Sequence, residues 1–422
     1  MDEHASETNA DSREPLSFEQ IVSWERPSDP RISPDGQNIA FCVRPVSNDE
    51  EHPKGSIWLV PFEDGEPRRL TSSAGLDQSP RWSPDGSRIA FISDRAERGK
   101  TSVYVMRVDG GEAERCFDQQ GDVGGLAWSL DGRFLSVLFT EPETEEEKKR
   151  KEERDDVRVW DTDYKYRRLW IIDVQTGEAS VISPEARQVH YYSWSPDSER
   201  LALNTTATPR IDDIFHETDV SIISRTGGDA TPVFTPTGIT ADLLWSADSR
   251  MLAYRGPAGR VINEDYVYAV DLESGGVRCL TPDYHGTVDH QTTDRTGQLN
   301  IVSFEGLNAL VYTLDWDGNL SRLVPDGFDG KITPPFTLSS DGNRAAFVRE
   351  DAAHAPNVWS HTRNDISQSD LIQLTHYNTD LESAALGSDE IVTWTSDPGV
   401  EIQGLLFKPF GYVEGEHYPL LA

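Results

Sequence analysis

The segment Trp82-Ser83-Pro84-Asp85-Gly86-Ser87-Arg88-Ile89-Ala90-Phe91 determines how the chain folds, because altered copies of it recur along the sequence. Each copy joins an apolar or aromatic lead to a Ser-Pro-Asp-Gly turn, or a degenerate form of it, and then to a second apolar run. Pro presets φ for a turn, Asp accepts hydrogen bonds from nearby backbone N–H groups, and Gly tolerates positive φ. The repeat therefore predicts pairs of strands joined by tight turns.

Seven copies of the turn each contribute one aspartate, and these aspartates measure the repeat. They are Asp35, Asp85, Asp131, Asp197, Asp248, Asp294 and Asp341, with the copy at Asp294 the weakest match. The successive intervals are 50, 46, 66, 51, 46 and 47 residues. A period of about 50 residues with two strand pairs per unit is typical of a four-stranded propeller blade. The sequence therefore predicts an all-β, seven-bladed β-propeller.

The chain divides into four predicted segments. We expect a disordered acidic tail over 1–14, a helical segment over 15–28, the propeller over 29–385 and a further segment over 386–422. In the helical segment, Ser17 can cap a short amphipathic helix that carries Phe18, Ile21 and Trp24.

The long 66-residue interval contains a charged insertion at 141–156, with nine acidic and five basic residues. Its pairs Glu145/Lys149, Glu146/Arg150 and Glu147/Lys151 stand at i,i+4 in the favourable order. This predicts a solvated helix inserted in the third blade. The segment is either a plain exposed insertion or a regulatory or docking arm.

Charge and cysteine content exclude several classes of function. The formal net charge of −34 opposes binding to nucleic acid and to anionic membranes. No apolar run reaches the ~18 residues of a membrane helix, and the N-terminus lacks a secretory signal.

Cys42, Cys116 and Cys279 are far apart, which favours reduced thiols and a cytoplasmic location. The acidity fits a saline habitat and a GC-rich genome equally.

The residues alone reveal no catalytic, cofactor or metal site. The sequence has no Gly-x-Ser-x-Gly nucleophile elbow, no His-Gly-Gly segment, no phosphate loop and no dinucleotide fingerprint. His285 and His290 stand near Asp283 and Asp289, but their spacing matches no metal motif.

The C-terminal part changes the interpretation. The junction Ile402-Gln403-Gly404-Leu405-Leu406-Phe407-Lys408-Pro409, followed by Tyr418-Pro419-Leu420-Leu421, resembles the prolyl oligopeptidase family of serine peptidases. The resemblance points to the acylaminoacyl peptidase and dipeptidyl peptidase-like branch, and residues 155–159 with 166–170 look like the third blade of that branch. In this family the junction opens an α/β-hydrolase domain. The resemblance therefore implies that 386–422 holds the first strands of a hydrolase domain that is incomplete here.

The same resemblance implies a function. It implies a two-domain serine peptidase whose Ser, Asp and His lie beyond residue 422, so this chain alone should be inactive. Its propeller would cover the active site and admit only short peptides, cleaved at aminoacyl- or acylaminoacyl-peptide bonds. The expected partners are such peptides and the chain's own hydrolase domain, and a homo-oligomer is left open.

Three acids stand out in the fourth blade under this interpretation. In relatives that trim N-termini, propeller carboxylates bind the free amine of the substrate, and Asp212, Asp213 and Glu217 could do so here. They could equally be ordinary loop acids of a very acidic protein. The competing function for the whole chain is a TolB-like propeller that binds protein partners and has no enzymatic activity.

Overall fold

Seven antiparallel four-stranded sheets follow one another along the chain, and each is built from four consecutive strands. This computed structural model describes residues 13–47, 52–119, 121–154, 164–257, 264–323, 331–362, 371–397 and 399–421. The first strands of neighbouring blades contact one another, which places them on the inside of a ring. The predicted seven-bladed propeller is confirmed. In the described ranges, no helix is long and apolar enough to cross a membrane.

The strands of the first four blades are as follows. Blade 1 contains β1 (Glu25–Ile32), β2 (Asn38–Pro45), β3 (Ser56–Pro61) and β4 (Arg68–Arg69). Blade 2 contains β5 (Asp77–Trp82), β6 (Arg88–Glu97), β7 (Lys100–Arg107) and β8 (Glu114–Arg115). Blade 3 contains β9 (Val123–Trp128), β10 (Phe134–Thr140), β11 (Arg167–Asp173) and β12 (Ala179–Val181). Blade 4 contains β13 (Gln188–Trp194), β14 (Arg200–Thr206), β15 (Asp219–Ser224) and β16 (Thr231–Phe234).

The remaining blades repeat this pattern, and a hairpin follows them. Blade 5 contains β17 (Ala241–Trp245), β18 (Met251–Pro257), β19 (Asp265–Asp271) and β20 (Val277–Cys279). Blade 6 contains β21 (Thr287–Thr293), β22 (Leu299–Glu305), β23 (Asn308–Leu314) and β24 (Leu320–Arg322). Blade 7 contains β25 (Lys331–Leu338), β26 (Arg344–Glu350), β27 (Asn357–Thr362) and β28 (Leu371–Gln373). A 3₁₀ turn (Thr379–Ser383) leads to the hairpin of β29 (Ser388–Thr395) and β30 (Glu401–Lys408).

The Ser-Pro-Asp-Gly turns hold their conformation by side-chain hydrogen bonds. In blade 2 the buried Ser83 Oγ donates to Asp85 Oδ1 at 2.5 Å, and the Ser87 amide donates to the same oxygen at 3.0 Å. The Arg88 amide donates back to Ser83 Oγ at 3.0 Å, and Gly86 has a φ of 72°. The same Ser-Asp pairing occurs in blades 1, 3, 4, 5 and 7. The hydrogen-bonding role predicted for the turn aspartates is confirmed.

Tryptophan side chains link neighbouring blades. The indole N–H of Trp82 donates to the Arg31 carbonyl of blade 1 at 2.7 Å, and that of Trp128 donates to the Arg81 carbonyl of blade 2 at 2.9 Å. Trp245 makes the equivalent bond to blade 4 at 3.2 Å. Because these three rings also pack in the apolar layers between sheets, each of them joins two blades by packing and by a hydrogen bond.

The ring closes without sharing a strand between blades 1 and 7. Instead, one apolar cluster spans the seam and includes Phe41 and Phe62 of blade 1 with Val348 and Val358 of blade 7. Polar contacts reinforce it, because Ser360 Oγ donates to the Phe62 carbonyl at 2.9 Å. Closure therefore rests on side-chain packing and on a few hydrogen bonds.

The antiparallel strand order gives the ring two distinct faces. We call the face with the Ser-Pro-Asp-Gly turns the turn face. The loop face carries the connections between second and third strands and the connections between blades. Since β1 starts and β28 ends at the loop face, both terminal segments leave the ring there. Their contacts confirm this, because the Ala385 amide donates to the Glu14 carbonyl at 2.8 Å and the Arg13 guanidinium lies 5.1 Å from the Phe410 ring centroid.

The N-terminal segment differs from the prediction. The helix α1 spans only Phe18–Val22 and is capped by reciprocal bonds between Ser17 and Gln20. β1 begins at Glu25, so residues 25–28 belong to the first blade and not to a helical segment. These four residues pair with β2 before the bulge of the inner strand. Residues 1–12 of the expected acidic tail lie outside the described residues. The motif at 155–159 lies outside them as well.

The charged insertion forms the predicted helix, α2 (Glu145–Glu152), and none of its residues is buried. Its ion pairs differ from those predicted. Lys148 bonds Glu145 at 2.7 Å, and Lys165 from outside the helix bonds Glu147 at 2.7 Å. The exposed side chains have several partners within reach, so sequence spacing does not select one. Residues 155–156 lie outside the described range.

Candidate substrate channel

The loop face gathers the irregular parts of the molecule around the mouth of the ring. The connection between the second and third strands holds α2 in blade 3 and a short helix, α3 (Asp213–His216), in blade 4. In blade 6 the corresponding turn is tight, and the side chain of Gln403 in the hairpin lies against Gly306 of that turn. The hairpin therefore lies against the loop face near blade 6.

The three predicted amine-binding acids lie together around α3 but differ in environment. Asp212 and Glu217 flank the helix and are exposed. Asp213 is 6% exposed, and Thr208 Oγ1 donates to its carboxylate at 2.5 Å. Asp213 therefore holds the loop, while Asp212 and Glu217 present carboxylates to solvent on the loop face.

The channel wall is made of the inner strands, which carry a bulge at a repeated position. The register shifts there between Ser28 and Arg31 in β1 and between Gln78 and Arg81 in β5. Asp29 sits in the first bulge with a φ of 48°, a left-handed conformation that non-glycine residues seldom adopt. Bulges of this kind re-aim side chains and are enriched next to functional sites.

A basic group lies on the wall formed by blades 1 and 2. Asp29 accepts from Arg31 Nε at 2.7 Å through one carboxylate oxygen and from Arg81 Nη1 at 3.0 Å through the other. All three side chains are between 21% and 27% exposed. Burial alone would raise the pKa of Asp29, but the charges and hydrogen bonds of Arg31 and Arg81 lower it to about 2. The carboxylate therefore stays ionised and shared between two guanidinium groups.

An acidic group lies on blades 5 and 6. Asp242 Oδ2 accepts from Arg255 Nε at 3.2 Å and lies 3.5 Å from His290 Nδ1. Arg255 also pairs with Asp265. Burial raises the pKa of Asp265, whereas for Asp242 the partners His290 and Arg255 outweigh burial and lower the pKa. In a ring of seven, blade 5 stands opposite the boundary between blades 1 and 2, so the two walls carry opposite charge.

The described part of the chain holds no arrangement typical of a metal centre. His290 is turned towards Asp242 rather than towards His285, and within the described ranges no three His, Cys, Asp or Glu side chains converge as a metal-binding group. Cys42, Cys116 and Cys279 are free thiols. Burial raises the pKa of the first two thiols to about 12, which makes them poor nucleophiles.

Comparisons with known proteins agree with this architecture. Residues 19–159 match the PD40 family model, described as the TolB beta propeller domain. The chain is a propeller that resembles those of peptidases. It is 28% identical over 222 residues to "Uncharacterized peptidase YuxL" of Bacillus subtilis, which covers 49% of this chain and 34% of that protein. The chain thus spans about a third of the length of that curated relative.

Solved structures show the same fold. The acylaminoacyl peptidase of Pyrococcus horikoshii superimposes with a TM-score of 0.71 at 18% identity, covering 94% of this chain and 60% of that one. The propeller domain of the Trilobed protease from Pyrococcus furiosus, described as having an open velcro topology, gives a TM-score of 0.61 at 17% identity over 84% of this chain and 99% of that one. The resemblance inferred from the sequence is confirmed for the propeller.

Sequence reasoning did not find the charged walls of the channel. The signal was present, since Asp29-Pro30-Arg31 and Ser79-Pro80-Arg81 stand at the same place before their turns. An arginine one residue before the Trp position faces the channel in both blades. An alignment of the seven repeats with one another would have placed these two arginines at equivalent positions of neighbouring inner strands.

Proposed function

We propose that this chain is the substrate-gating propeller of a cytoplasmic serine peptidase that hydrolyses short peptides at aminoacyl- or acylaminoacyl-peptide bonds. Its catalytic α/β-hydrolase domain would pack on the loop face. The observation that carries this proposal is that both terminal segments and the exposed hairpin β29–β30 meet on the loop face, beside the mouth of the channel. A domain continuous with the hairpin would cover that mouth.

The hairpin itself supports a domain at this place. One face of the hairpin is exposed and apolar, and it carries Ile391, Leu405 and Phe407. A two-stranded hairpin is marginally stable alone, and its unpaired edges invite further strands. We therefore propose that β29 and β30 are the first strands of the hydrolase sheet, as the sequence predicts.

Substrate selection follows from the geometry of the loop face. A folded protein cannot enter a ring whose inner wall is lined by closely spaced strands, so only short peptides would reach a site beneath it. We propose that Asp212 and Glu217 bind the free amine of such a peptide and that Asp213 holds the loop that presents them. Replacing Glu217 by Gln should raise KM for peptides with a free N-terminus and leave N-acetylated peptides unaffected.

A fluorophosphonate probe tests the proposed function. The complete product of the gene should be labelled and should cleave short peptides while sparing folded proteins, because acyl transfer needs an activated nucleophile, a base and oxyanion donors together. The 422-residue chain should be neither labelled nor active. A complete product that is inert to the probe would favour the non-enzymatic, TolB-like alternative. Labelling of the 422-residue chain would show that its chemistry lies within the propeller.

A further inference from the structure

The basic wall of blades 1 and 2 has more positive charge than its own carboxylate can neutralise. Arg31 and Arg81 share Asp29, so each uses only part of its guanidinium group on that residue. A third arginine, Arg44, extends from β2 to Gln78 on the inner strand of blade 2. In the described part of the chain, no other carboxylate pairs with any of these three arginines.

Unsatisfied donors mark the same place. The Nε of Arg44 is buried and has no hydrogen-bond partner among the described residues. Arg167 extends the basic wall into blade 3, where its guanidinium occupies the position that a side chain at Gly124 would fill. Its Nε is likewise buried without a partner. Buried donors left unpaired are costly, and charged donors more so.

This excess is unusual in a chain with a net charge of −34. Random placement in such an acidic protein would surround an arginine with carboxylates, yet within the described ranges Asp29 is the one carboxylate that pairs with any of these three arginines. The acids Asp242 and Asp265 stand across the channel and are already paired with Arg255. They therefore do not neutralise the basic wall.

We propose that Arg31, Arg44 and Arg81 form a binding site for a peptide carboxylate on the channel wall. Guanidinium groups present planar pairs of donors that match a carboxylate, and a ligand with this group would satisfy the donors that Asp29 leaves free. The identification of the ligand as a peptide rests on the proposed function. The anion-binding site itself is inferred from the side chains alone. A peptide held here by its C-terminus would have its N-terminus free to point towards the loop face.

Calorimetry on the 422-residue chain tests the site without any catalysis. Tri-alanine with a free C-terminus should bind, and its C-terminal amide should bind about tenfold more weakly or not at all, since a charge-assisted hydrogen bond is lost. The variant R81Q should lose affinity for the free acid by about tenfold or more. The control variant R107Q changes an exposed arginine that pairs with Asp109 on the turn face, and it should bind normally.

A second variant separates ligand binding from a structural role. D29N keeps the hydrogen-bonding shape but removes the competing charge, so it should tighten binding of the free acid. A purely structural Asp29 would instead give weaker binding, and that result would overturn the proposal. Equal binding of acid and amide would overturn it as well.

Two further ligands identify the source of the carboxylate. An amidated peptide with a glutamate side chain that binds as tightly as tri-alanine would support the carboxylate site and assign it to acidic side chains. Inorganic phosphate that binds as tightly as the free-acid peptide would overturn the assignment to peptides. These outcomes are independent of probe labelling, so failure of the site and failure of the peptidase proposal are distinguishable.

Discussion

The turn of blade 2 offers a direct measurement of how much one repeat motif stabilises the propeller. Asp85→Ala removes the acceptor for the Ser83 hydroxyl and for the Ser87 amide and hydroxyl. Ser83 is fully buried, so its O–H loses a partner that water cannot replace, whereas Ser87 is exposed and becomes solvated. One buried donor left unpaired costs about 1–2 kcal/mol, with the fold retained.

The expected shift in melting temperature is small but measurable. With an unfolding entropy of about 2.1 cal/mol/K per residue over roughly 400 residues, a loss of about 1–2 kcal/mol lowers Tm by about 1–3 °C. Calorimetry of matched samples resolves such a difference. Asp85→Asn keeps an acceptor oxygen and should lose less. Asp64→Ala is the control, because Asp64 is exposed and makes no hydrogen bond within the described ranges.

The same variant predicts a pH dependence. Hydrogen bonds from the Ser83 hydroxyl and the Ser87 amide lower the pKa of Asp85 from 3.8 to about 2. A lowered pKa in the folded state means that the carboxylate stabilises the fold above pH 3.8 and loses this effect as the pH falls towards 2. The Tm difference between wild type and Asp85→Ala should therefore narrow below pH 3.8. Identical melts at neutral pH would refute the assigned role of this aspartate.

Three further predictions follow from the fold. Replacing residues 143–153 by Gly-Ser should leave Tm within about 1 °C, because the ion pairs within α2 are exposed and the Lys165–Glu147 pair is only half-buried; loss of soluble expression would show that the insertion packs on the ring. The 422-residue chain should self-associate in light scattering through Phe18, Ile21, Leu405 and Phe407, which are exposed; a monomer at high concentration would contradict this. Trp128→Phe should lower stability by about 1 kcal/mol in urea melts, since the bond to the preceding blade is lost; an unchanged midpoint would count against that bond.

Trp24 does not belong to the proposed self-association surface. Its indole N–H donates to Asp380 at 3.1 Å and ties the N-terminal segment to the 3₁₀ turn that follows blade 7. In β30 the side chains alternate, so Leu405 and Phe407 are exposed while Leu406 is half-buried. Only a long-range contact could reveal the role of Trp24, since 356 residues separate it from its partner.

Sequence patterns predicted the local parts of the fold well because those parts depend on neighbouring residues. The Ser83–Asp85 turn, the inter-blade tryptophans and the caps at Ser17 are each specified within a few positions. The channel is different, because its chemistry depends on residues from separate blades. Arg31 and Arg81 stand fifty residues apart and meet only because the ring places equivalent positions of β1 and β5 side by side around Asp29.

The amine-binding acids illustrate a second limit. The sequence places Asp212, Asp213 and Glu217 in one excursion, but it does not separate a carboxylate that holds a loop from one that faces solvent. That distinction depends on Thr208, whose hydroxyl bonds Asp213. Whether Asp212 and Glu217 bind an amine stays a prediction.

The seam between blades 1 and 7 connects the architecture to the proposed gating. Every other pair of neighbouring blades is joined by a covalent connection, but this pair relies on side chains and on contacts such as the Ser340 amide to the Pro34 carbonyl at 3.2 Å. At the loop face, Asn378 bonds both the amide and the carbonyl of Glu25, at 3.0 and 2.8 Å. Since both terminal segments leave the ring at this seam, a domain attached to them would hold blades 1 and 7 together. The ring would then keep a fixed channel width while the catalytic domain covers it, which a size-selective gate requires.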